Sequence, residues 1–284
     1  MKQPSDFVLI TGVSTGIGNA LMHSLIKRGY KVIGTVRSEK DKEKIKAETG
    51  PSGYPIILDV TDEGGVKASV SEVEAILQGK GLAGLINNAG VAIGGPLAEM
   101  PMEVIRFHFE VNVFGLLNVT RAYLPLLGAR QLHNNLPGRI VNVSSVSGEL
   151  AGPFVGAYTG SKFAVEGISQ TLRRELMLYG IDVIVAGPGN VITPIWDKGV
   201  KPELYKNSPY YPYIEKYANY ILNEYPTGYT AEEMGELIAN AFTAKKPKAR
   251  YALVKDGFMK RVIPKLIPTR ILDKIIAKQV GFIK

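Results

Sequence analysis

Short apolar runs alternate with helical patterns along most of this chain, and that alternation restricts the possible folds more than any other feature. The seven runs interpreted as strands lie at 7–11, 31–36, 55–60, 82–87, 139–144, 182–186 and 249–254. Helical patterns separate them, the longest at 102–127 and 157–179. Strands that alternate with helices form parallel sheets, and strands that are apolar throughout are covered on both faces. The sequence therefore predicts an α/β fold, a doubly wound parallel sheet of about seven strands.

The first predicted strand is joined to the first helix by a glycine-rich turn, Thr11-Gly12-Val13-Ser14-Thr15-Gly16-Ile17-Gly18. Glycines permit a tight turn and a close approach of the backbone to a phosphate, and the free N–H groups of a helix N-terminus favour an anion. A turn of this kind in this place indicates a dinucleotide site, although a merely tight turn is the alternative. The residues expected to contact the dinucleotide here are Gly12, Ser14, Thr15, Gly16, Ile17 and Gly18.

Arg37 directly follows the second predicted strand, in the sequence Thr35-Val36-Arg37. In doubly wound sheets the end of this strand meets the adenosine ribose, where an acidic residue would bind the 2′-hydroxyl of NAD. The sequence has no acid here and supplies a guanidinium, which suits a 2′-phosphate. Arg37 therefore favours NADP over NAD, and an ordinary solvated arginine is the alternative.

Tyr158 and Lys162 are separated by four residues, and Ser145 lies thirteen residues before the tyrosine. Four residues are about one helical turn, so the phenol and the ammonium can share a face. A phenol beside a cation loses its proton more easily, so we expect the pKa of Tyr158 to be lowered. Such a phenol can exchange a proton with a carbonyl or alcohol oxygen. On its own, such a pair is more often two residues on a helix surface.

Taken together, the motifs give the chain a family resemblance over about residues 6–195. It resembles the short-chain dehydrogenases/reductases, in their compact single-domain branch with a Rossmann-like sheet. The motifs that carry the resemblance are Thr11-Gly12-x-x-x-Gly16-Ile17-Gly18, Asp59-Val60, Asn87-Asn88-Ala89-Gly90, Asn112, Ser144-Ser145, Tyr158-x-x-x-Lys162 and Pro188-Gly189.

The resemblance implies which further residues hold the cofactor. Asp59 and Val60 would touch the adenine. The other positions it implies are Asn88, Ala89 and Gly90 on the adenosine side, and Pro188, Gly189, Val191 and Thr193 at the nicotinamide carboxamide.

The resemblance also implies a catalytic tetrad of Asn112, Ser145, Tyr158 and Lys162. Tyr158 would transfer the proton, Ser145 would hydrogen-bond the reacting oxygen, and Asn112 would anchor a water. Lys162 would hold the nicotinamide ribose, so that it and Tyr158 also count among the cofactor-binding residues. Ser145 rather than Ser144 has the family separation from Tyr158, and neighbouring strand residues point to opposite faces.

These implications predict an NADP-dependent oxidoreductase that interconverts a carbonyl and an alcohol. A catalytically idle NADP-binding sensor or scaffold is the alternative from another class, and an isomerase or dehydratase is a third. Residues 192–230 are expected to form an irregular lid over the substrate, and eight of the 14 tyrosines fall there with Trp196. The tyrosines indicate an apolar, lipid-like substrate, or else they pack a local helix or a subunit contact. The resemblance further implies a homodimer or homotetramer built by the two longest helices.

The composition excludes several other functions. The chain has no cysteine and three scattered histidines, so disulfides, thiol chemistry and a metal site are not expected. No run is apolar for the roughly 18 residues that span a bilayer, and no signal peptide is evident, which predicts a cytoplasmic location.

The net charge of +8 is concentrated at one end of the chain. Of the 34 basic residues 12 lie within 245–284, together with only 2 of the 26 acidic ones. The remaining chain is near neutral, which argues against nucleic-acid binding. We expect a single domain over 1–255 and a basic amphipathic extension over 256–284. That extension either packs on the protein or makes a peripheral contact with a membrane surface.

Overall fold

The computed structural model describes residues 5–129, 136–193, 195, 201–224, 227–255, 257 and 261–283. The strands are β1 Phe7–Ile10, β2 Lys31–Val36, β3 Gly53–Ile57, β4 Gly84–Asn87, β5 Arg139–Val143, β6 Asp182–Pro188, β7 Val191–Ile192, β8 Tyr229–Thr230 and β9 Arg250–Leu253. Within the described residues seven of them form one sheet in the order β3-β2-β1-β4-β5-β6-β9, and every neighbouring pair is parallel. The predicted fold class is confirmed.

Helices cover both faces of this sheet. They are α1 Gly16–Lys27, α2 Glu39–Thr49, α3 Glu63–Leu77, α4 Met102–Phe109, α5 Leu116–Tyr123, α6 Gly156–Glu175, α7 Tyr211–Glu224, α8 Ala231–Thr243, α9 Ile263–Leu266 and α10 Thr269–Val280. Phe7 and Leu9 of β1 pack in the core with α3 and α5, while Val8 and Ile10 pack in the opposite core with α1 and α8. Alternate side chains of one strand thus reach opposite faces, which explains why the strand sequences are apolar throughout.

Several helices begin with a capping side chain. Ser38, Asp62 and Thr230 each accept a hydrogen bond from a backbone N–H three residues on. Glu233 completes a capping box with Thr230 at the start of α8. Such caps typically stabilise a protein by about 1 kcal/mol each. Thr15 is the N-cap residue of α1, but its side chain makes no such bond. The cap therefore leaves the first backbone N–H groups of α1 available to another acceptor.

Most predicted elements differ from the structure by one or two residues at an end, and three differ by more. The helix predicted at 102–127 is interrupted by a π-helical turn, Glu110–Gly115, and finishes in a 3₁₀ turn, Pro125–Leu127. The helix predicted at 157–179 changes to a 3₁₀ turn after Glu175. The third strand ends at Ile57, so Asp59 and Val60 lie beyond it. Each difference concerns hydrogen-bond geometry at the end or middle of an element, which apolar periodicity does not report.

The lid segment, 192–230, is more regular than the sequence analysis predicted. It contains a 3₁₀ turn, Pro202–Tyr205, and the helix α7, and β7 pairs with β8 at its two ends. Tyr213, Ile214 and Tyr217 repeat at helical spacing and pack with Phe154 in a small apolar cluster. The expectation of an irregular stretch is therefore wrong for the described part. Trp196 and Tyr225, which the prediction also invoked, lie outside the described residues, as does the side chain of Tyr220.

The apolar stripe of the C-terminal extension divides between two environments. Ile276 and Val280 of α10 pack into the cluster with Phe154 and Ile214, so part of the extension packs on the protein itself. Ile271 and Ile275 remain 52% and 48% exposed. Within the residues that the structure describes, no helix is long and apolar enough to cross a bilayer.

Candidate active site

The predicted site residues follow the carboxyl ends of neighbouring strands. Gly12, Asn88, Ser145 and Gly189 come shortly after β1, β4, β5 and β6, respectively. Because these strands are parallel and adjacent, their ends meet at one edge of the sheet. The strand order reverses direction between β1 and β4, and such a switch point opens the crevice in which doubly wound sheets bind ligands. The sheet thus brings residues from four distant motifs to one crevice.

The glycine-rich turn has no room for side chains at its glycine positions. Gly12 and Gly16 have φ values of +72° and +63°, a left-handed conformation that favours glycine. A Cβ on Gly12 would lie 3.1 Å from the Cα of Ala89, and one on Gly18 would overlap the Gly12 carbonyl oxygen. The first turn of α1 carries no acidic residue. The turn therefore presents uncapped N–H groups, and no carboxylate in the first turn of α1 would repel an anion. This arrangement fits the pyrophosphate of a dinucleotide.

Asn88, which follows the neighbouring strand β4, braces this turn together with Thr11 at its start. The Asn88 amide donates to the carbonyl oxygens of Thr11 and Gly12, both at 2.9 Å. The Thr11 hydroxyl accepts from the backbone N–H groups of Asn88 and Ala89, both at 3.0 Å. Thr11 is included in the predicted motif but not among the residues predicted to contact the cofactor, because its contribution is a contact between two strand ends. These bonds hold Ala89 and Gly90 beside the turn.

Arg37 and Asp59 form the adenosine end of the predicted site. Burial acts to raise the pKa of Asp59, but hydrogen bonds from the Thr61 N–H and hydroxyl, with the positive charge of Arg37, hold it below its ordinary value. Arg37 is exposed at the end of β2. Val60 packs against Gly115 in the π-helical turn, where a side chain at Gly115 would collide with it. Arg37 is thus an accessible cation near the ribose end of the crevice.

Tyr158 and Lys162 lie one turn apart at the start of α6, and both are buried. They are 7% and 5% exposed, and the Lys162 ammonium lies 5.7 Å from the centre of the tyrosine ring. Lys162 Nζ donates to the Val143 carbonyl at the end of β5, at 2.9 Å. The Ser145 side chain hydrogen-bonds the Tyr158 hydroxyl. The structure therefore brings the three predicted residues into one group.

The two adjacent serines have different partners. Ser145 Oγ bonds Tyr158 and also accepts from the Ser147 N–H at 3.1 Å. Ser144 Oγ instead donates to the Lys162 carbonyl at 3.5 Å, within the body of α6. This difference agrees with the choice of Ser145, and its reason is the alternation of side chains at the end of β5.

The pKa values of the buried pair differ from the sequence-based expectation. Burial raises the pKa of Tyr158, and the hydrogen bond from Ser145 opposes that rise. The prediction that Lys162 lowers the pKa of Tyr158 is therefore wrong for this structure. Burial also lowers the pKa of Lys162 to about 8, against the charge of Glu166, which raises it. Desolvation dominates because both groups lie in the interior, where the charged form is disfavoured.

Asn112 occupies the π-helical turn that interrupts the long helix. Its amide oxygen accepts from the Val91 N–H at 2.8 Å, and its amide nitrogen donates to the Val91 carbonyl at 3.0 Å and to Ser161 Oγ at 2.9 Å. A Cβ on Gly90 would lie 3.2 Å from the Asn112 oxygen and 3.7 Å from Lys162 Nζ. Asn112 thus adjoins Lys162 across Gly90. π-Helical turns frequently occur at functional sites.

The residues predicted for the nicotinamide end come from the segment after β6. The Gly189 N–H donates to the Leu253 carbonyl at 2.9 Å, which continues the pairing of β6 with β9 beyond Pro188. Val191 is buried in β7. A Cβ on Gly16 would lie 3.3 Å from Thr193 Cγ2, so Thr193 touches the glycine-rich turn. The predicted nicotinamide and phosphate contacts therefore share one crevice.

The arrangement defines the class of protein. A doubly wound sheet with a glycine-rich anion cradle and a buried Tyr–Lys pair is the arrangement of an NAD(P)-dependent oxidoreductase. The chain matches the family described as short chain dehydrogenase over residues 6–203, and it belongs to this family. The family resemblance found in the sequence is confirmed.

Relatives and a solved structure extend this match to nearly the whole chain. The chain is 37% identical over 275 residues to the NADPH-dependent 3-dehydrocapnine reductase of Ornithobacterium rhinotracheale, with 96% of each covered. It is 32% identical over 285 residues to the 17-beta-hydroxysteroid dehydrogenase type 6 of Rattus norvegicus, covering 95% of this chain and 87% of the relative. A short-chain dehydrogenase from Streptomyces avermitilis shares the fold with a TM-score of 0.76 at 28% identity, over 99% of this chain and 97% of that one.

These comparisons bear on two of the sequence predictions. The chain is an NAD(P)-dependent oxidoreductase of the carbonyl–alcohol type, as predicted. The predicted preference for NADP agrees with the first relative, which is NADPH-dependent by name.

Proposed function

We propose that this protein uses NADPH to reduce a ketone or aldehyde on an apolar, lipid-like substrate, or catalyses the reverse oxidation. The observation that carries the proposal is the buried group in which Ser145 bonds the Tyr158 hydroxyl beside Lys162. This group lies at the same sheet edge as the anion cradle of the glycine-rich turn. A proton donor, a polarising hydroxyl and a cofactor cradle at one crevice are the parts that carbonyl reduction requires.

Tyr158 is the proton donor in this mechanism. NADPH, when bound, supplies the hydride to the carbonyl carbon, and charge then develops on the carbonyl oxygen. Ser145 donates a hydrogen bond to that oxygen, and Tyr158 delivers its proton to it. Because burial raises the pKa of Tyr158, the phenol is protonated at neutral pH, which suits the reductive direction. The same pKa makes the unassisted phenol a poor base for oxidation.

Lys162 and Asn112 support the cofactor and the proton donor. Lys162 would bind the nicotinamide ribose hydroxyls, and its distance from the Tyr158 ring allows it to stabilise the phenolate left after proton transfer. Asn112 holds the Val91 backbone and Ser161, and so fixes the wall of the crevice next to Lys162. Its implied water would connect Lys162 to solvent.

Cofactor binding should weaken in alkaline solution. Lys162 is charged below its pKa of about 8 and loses its charge as the pH rises above that value, so its bond to the ribose weakens. We expect the Kd for NADPH to rise between about pH 7 and pH 10. Titrating NADPH into Tyr158→Phe by fluorescence measures this effect without interference from the phenol. A Kd that stays constant over this range would contradict the role given to Lys162.

Arg37 should determine the preference for NADP. Its guanidinium is expected to bind the 2′-phosphate, and a hydrogen bond to a charged group contributes about 1.5–3 kcal/mol. Arg37→Ala should therefore raise the KM for NADPH about tenfold or more while leaving the KM for NADH unchanged. Arg174→Ala, which removes an exposed arginine at the far end of α6, is the matched control. An equal rise for both cofactors would place Arg37 outside the 2′-phosphate site.

Aromatic side chains of the lid segment support the proposal of an apolar substrate. Tyr205 and Tyr217 of the lid segment pack with Phe154, which precedes the start of α6. A side chain at Gly95 would overlap the Tyr205 hydroxyl, so the lid closely approaches the loop after β4. The rat relative is a hydroxysteroid dehydrogenase by name, which agrees with a large apolar substrate. In a panel followed by NADPH consumption, a preference for small polar sugars over steroid and long-chain ketones would contradict this assignment.

Two contacts with partners belong to the same proposal. Phe107, Phe114 and Phe163 are 41%, 49% and 45% exposed on the long helices, which supports a homodimer or homotetramer. Ile271 and Ile275 lie beside the basic residues of α10, which supports a peripheral contact with an anionic membrane. Sedimentation equilibrium tests the oligomer, and a monomer would contradict it. Flotation with anionic liposomes tests the membrane contact, and a protein that does not bind the liposomes would contradict that contact.

A further inference from the structure

Five charged side chains meet behind the catalytic serine, where β9, α6 and the C-terminal extension come together. We call them the ion-pair cluster: Glu149, Glu166, Arg250, Arg261 and Lys265. Glu149 follows the 3₁₀ turn, Val146–Gly148, that begins after Ser145. Glu166 lies one turn beyond Lys162. The cluster therefore touches the segments that carry two of the predicted catalytic residues.

Arg250 joins three parts of the site through one guanidinium. Its Nε donates to both Glu166 carboxylate oxygens at 3.1 Å, and its Nη1 lies 2.7 Å from Glu149 Oε2. Its Nη2 donates to the Ser145 carbonyl oxygen at 3.2 Å. A side chain at Gly187 would overlap this guanidinium, so the glycine leaves the space it occupies. Only the planar fork of arginine can reach all three partners, since lysine offers a single point charge.

Glu149 connects Arg250 to the C-terminal extension. It accepts from Arg261 Nε at 2.6 Å and Nη2 at 2.9 Å, and it also binds Lys265 Nζ. Burial acts to raise the pKa of Glu149, but the bonds from Arg261 and Lys265 and the charge of Arg250 lower it to about 2. Glu149 thus stays ionised, and its link to the extension persists, at any pH near neutrality.

The contacts reach the catalytic group itself. The Ser145 carbonyl accepts from both Arg250 and the Gly148 N–H, the latter at 3.1 Å, while the Ser145 side chain bonds Tyr158. The charge of Glu166 also supports the protonated form of Lys162. A buried ion pair adds little net stability, because desolvation offsets the attraction, yet breaking one leaves an uncompensated charge. Such a cluster is better suited to holding a geometry than to stabilising the fold.

We propose that Arg250 and Glu149 are positioning residues that transmit the docking of the C-terminal extension, through Arg261 and Lys265, to the backbone of Ser145. The proposal rests on the proposed reductase function and adds a role for the extension in it. The extension would then support catalysis through the position of Ser145.

The test is a pair of charge-matched variants of the full chain. Arg261→Gln with Lys265→Gln removes the two cations that bind Glu149, and Lys274→Gln with Lys278→Gln removes two exposed cations of α10 that lie outside the cluster. The first variant should lower kcat about tenfold with the KM for NADPH within about twofold of the wild type. The control should keep the kcat of the wild type. Arg261→Lys with Lys265→Arg keeps both charges, so this variant should retain most of the wild-type kcat.

Hydrogen exchange gives a readout that does not require a substrate. The amides of Gly148, Glu149 and Leu150 are bonded within the turn after Ser145, and they should exchange faster in the first variant than in the control. Arg250→Lys should speed the same amides and is measured if the double variant does not fold. The positioning role is wrong if these amides exchange at the wild-type rate in both the double variant and Arg250→Lys. It is also wrong if the double variant keeps the kcat of the wild type. A wild-type protein that turns over no carbonyl would instead refute the proposed function, while the exchange result would still decide this inference.

Discussion

Tyr158→Phe is expected to lower kcat about a thousandfold while the Kd for NADPH stays within about twofold of the wild type. The variant removes only the phenolic oxygen, which bonds Ser145 and which we propose donates the proton. The ring remains, so packing at the start of α6 and the position of Lys162 beside it are preserved. Steady-state turnover with the best ketone of the panel, together with NADPH titration, separates loss of chemistry from loss of binding.

Tyr123→Phe is a closely matched control for this change. Tyr123 is also fully buried, and its hydroxyl also bonds a serine, Ser69, at 2.6 Å. It is the last residue of α5 and packs in the core between that helix and the sheet. Its loss should lower the free energy of unfolding by about 1 kcal/mol and leave kcat unchanged. Comparable turnover in the two phenylalanine variants would remove Tyr158 from the mechanism.

Gly18→Ala is expected to weaken NADPH binding at least about a hundredfold, or about 2.7 kcal/mol. The new methyl group would overlap the Gly12 carbonyl and the Asn88 amide, so the turn and the strand end that brace each other must separate. The N–H groups at the start of α1 would then no longer converge on one anion. Isothermal titration with NADPH measures the loss directly.

Gly167→Ala provides the control for this substitution. A methyl group at Gly167, in the middle of α6, would meet nothing within 4 Å. Alanine is favoured over glycine inside a helix by about 1 kcal/mol, so this variant should be slightly more stable and bind NADPH normally. Wild-type affinity in Gly18→Ala would show that the turn does not cradle the cofactor.

The fold and the location of the crevice follow from local patterns in the sequence. Each strand is recognisable because both of its faces are buried, as Phe7 and Val8 show by packing on opposite sides. Because the strands are parallel, their carboxyl ends lie at one edge of the sheet. The order of the motifs is therefore enough to predict that Gly12, Asn88 and Ser145 converge. The order of strands and helices and the periodicity of their apolar residues can be read from the sequence, and both agree with the structure.

The features that the sequence analysis missed depend on tertiary burial or on distant contacts. The pKa of Tyr158 is raised because the ring lies in the interior, which the spacing to Lys162 does not reveal. Tyr213, Ile214 and Tyr217 have helical spacing in the sequence, and their packing agrees with the alternative in which the tyrosines pack a local helix. The contacts of Arg250 with Ser145 and Glu166 span 105 and 84 residues, and no local motif records them.

The central claim is that this crevice moves a hydride from NADPH to a carbonyl carbon while Tyr158 supplies the proton. The most direct measurement uses NADPH carrying deuterium at the transferable position, an apolar ketone, and mass spectrometry of the alcohol. The wild-type protein should place deuterium on the carbinol carbon, and Tyr158→Phe should form almost no alcohol. NADPH consumption that yields alcohol without deuterium, or deuterated alcohol formed equally well by Tyr158→Phe, would contradict this account.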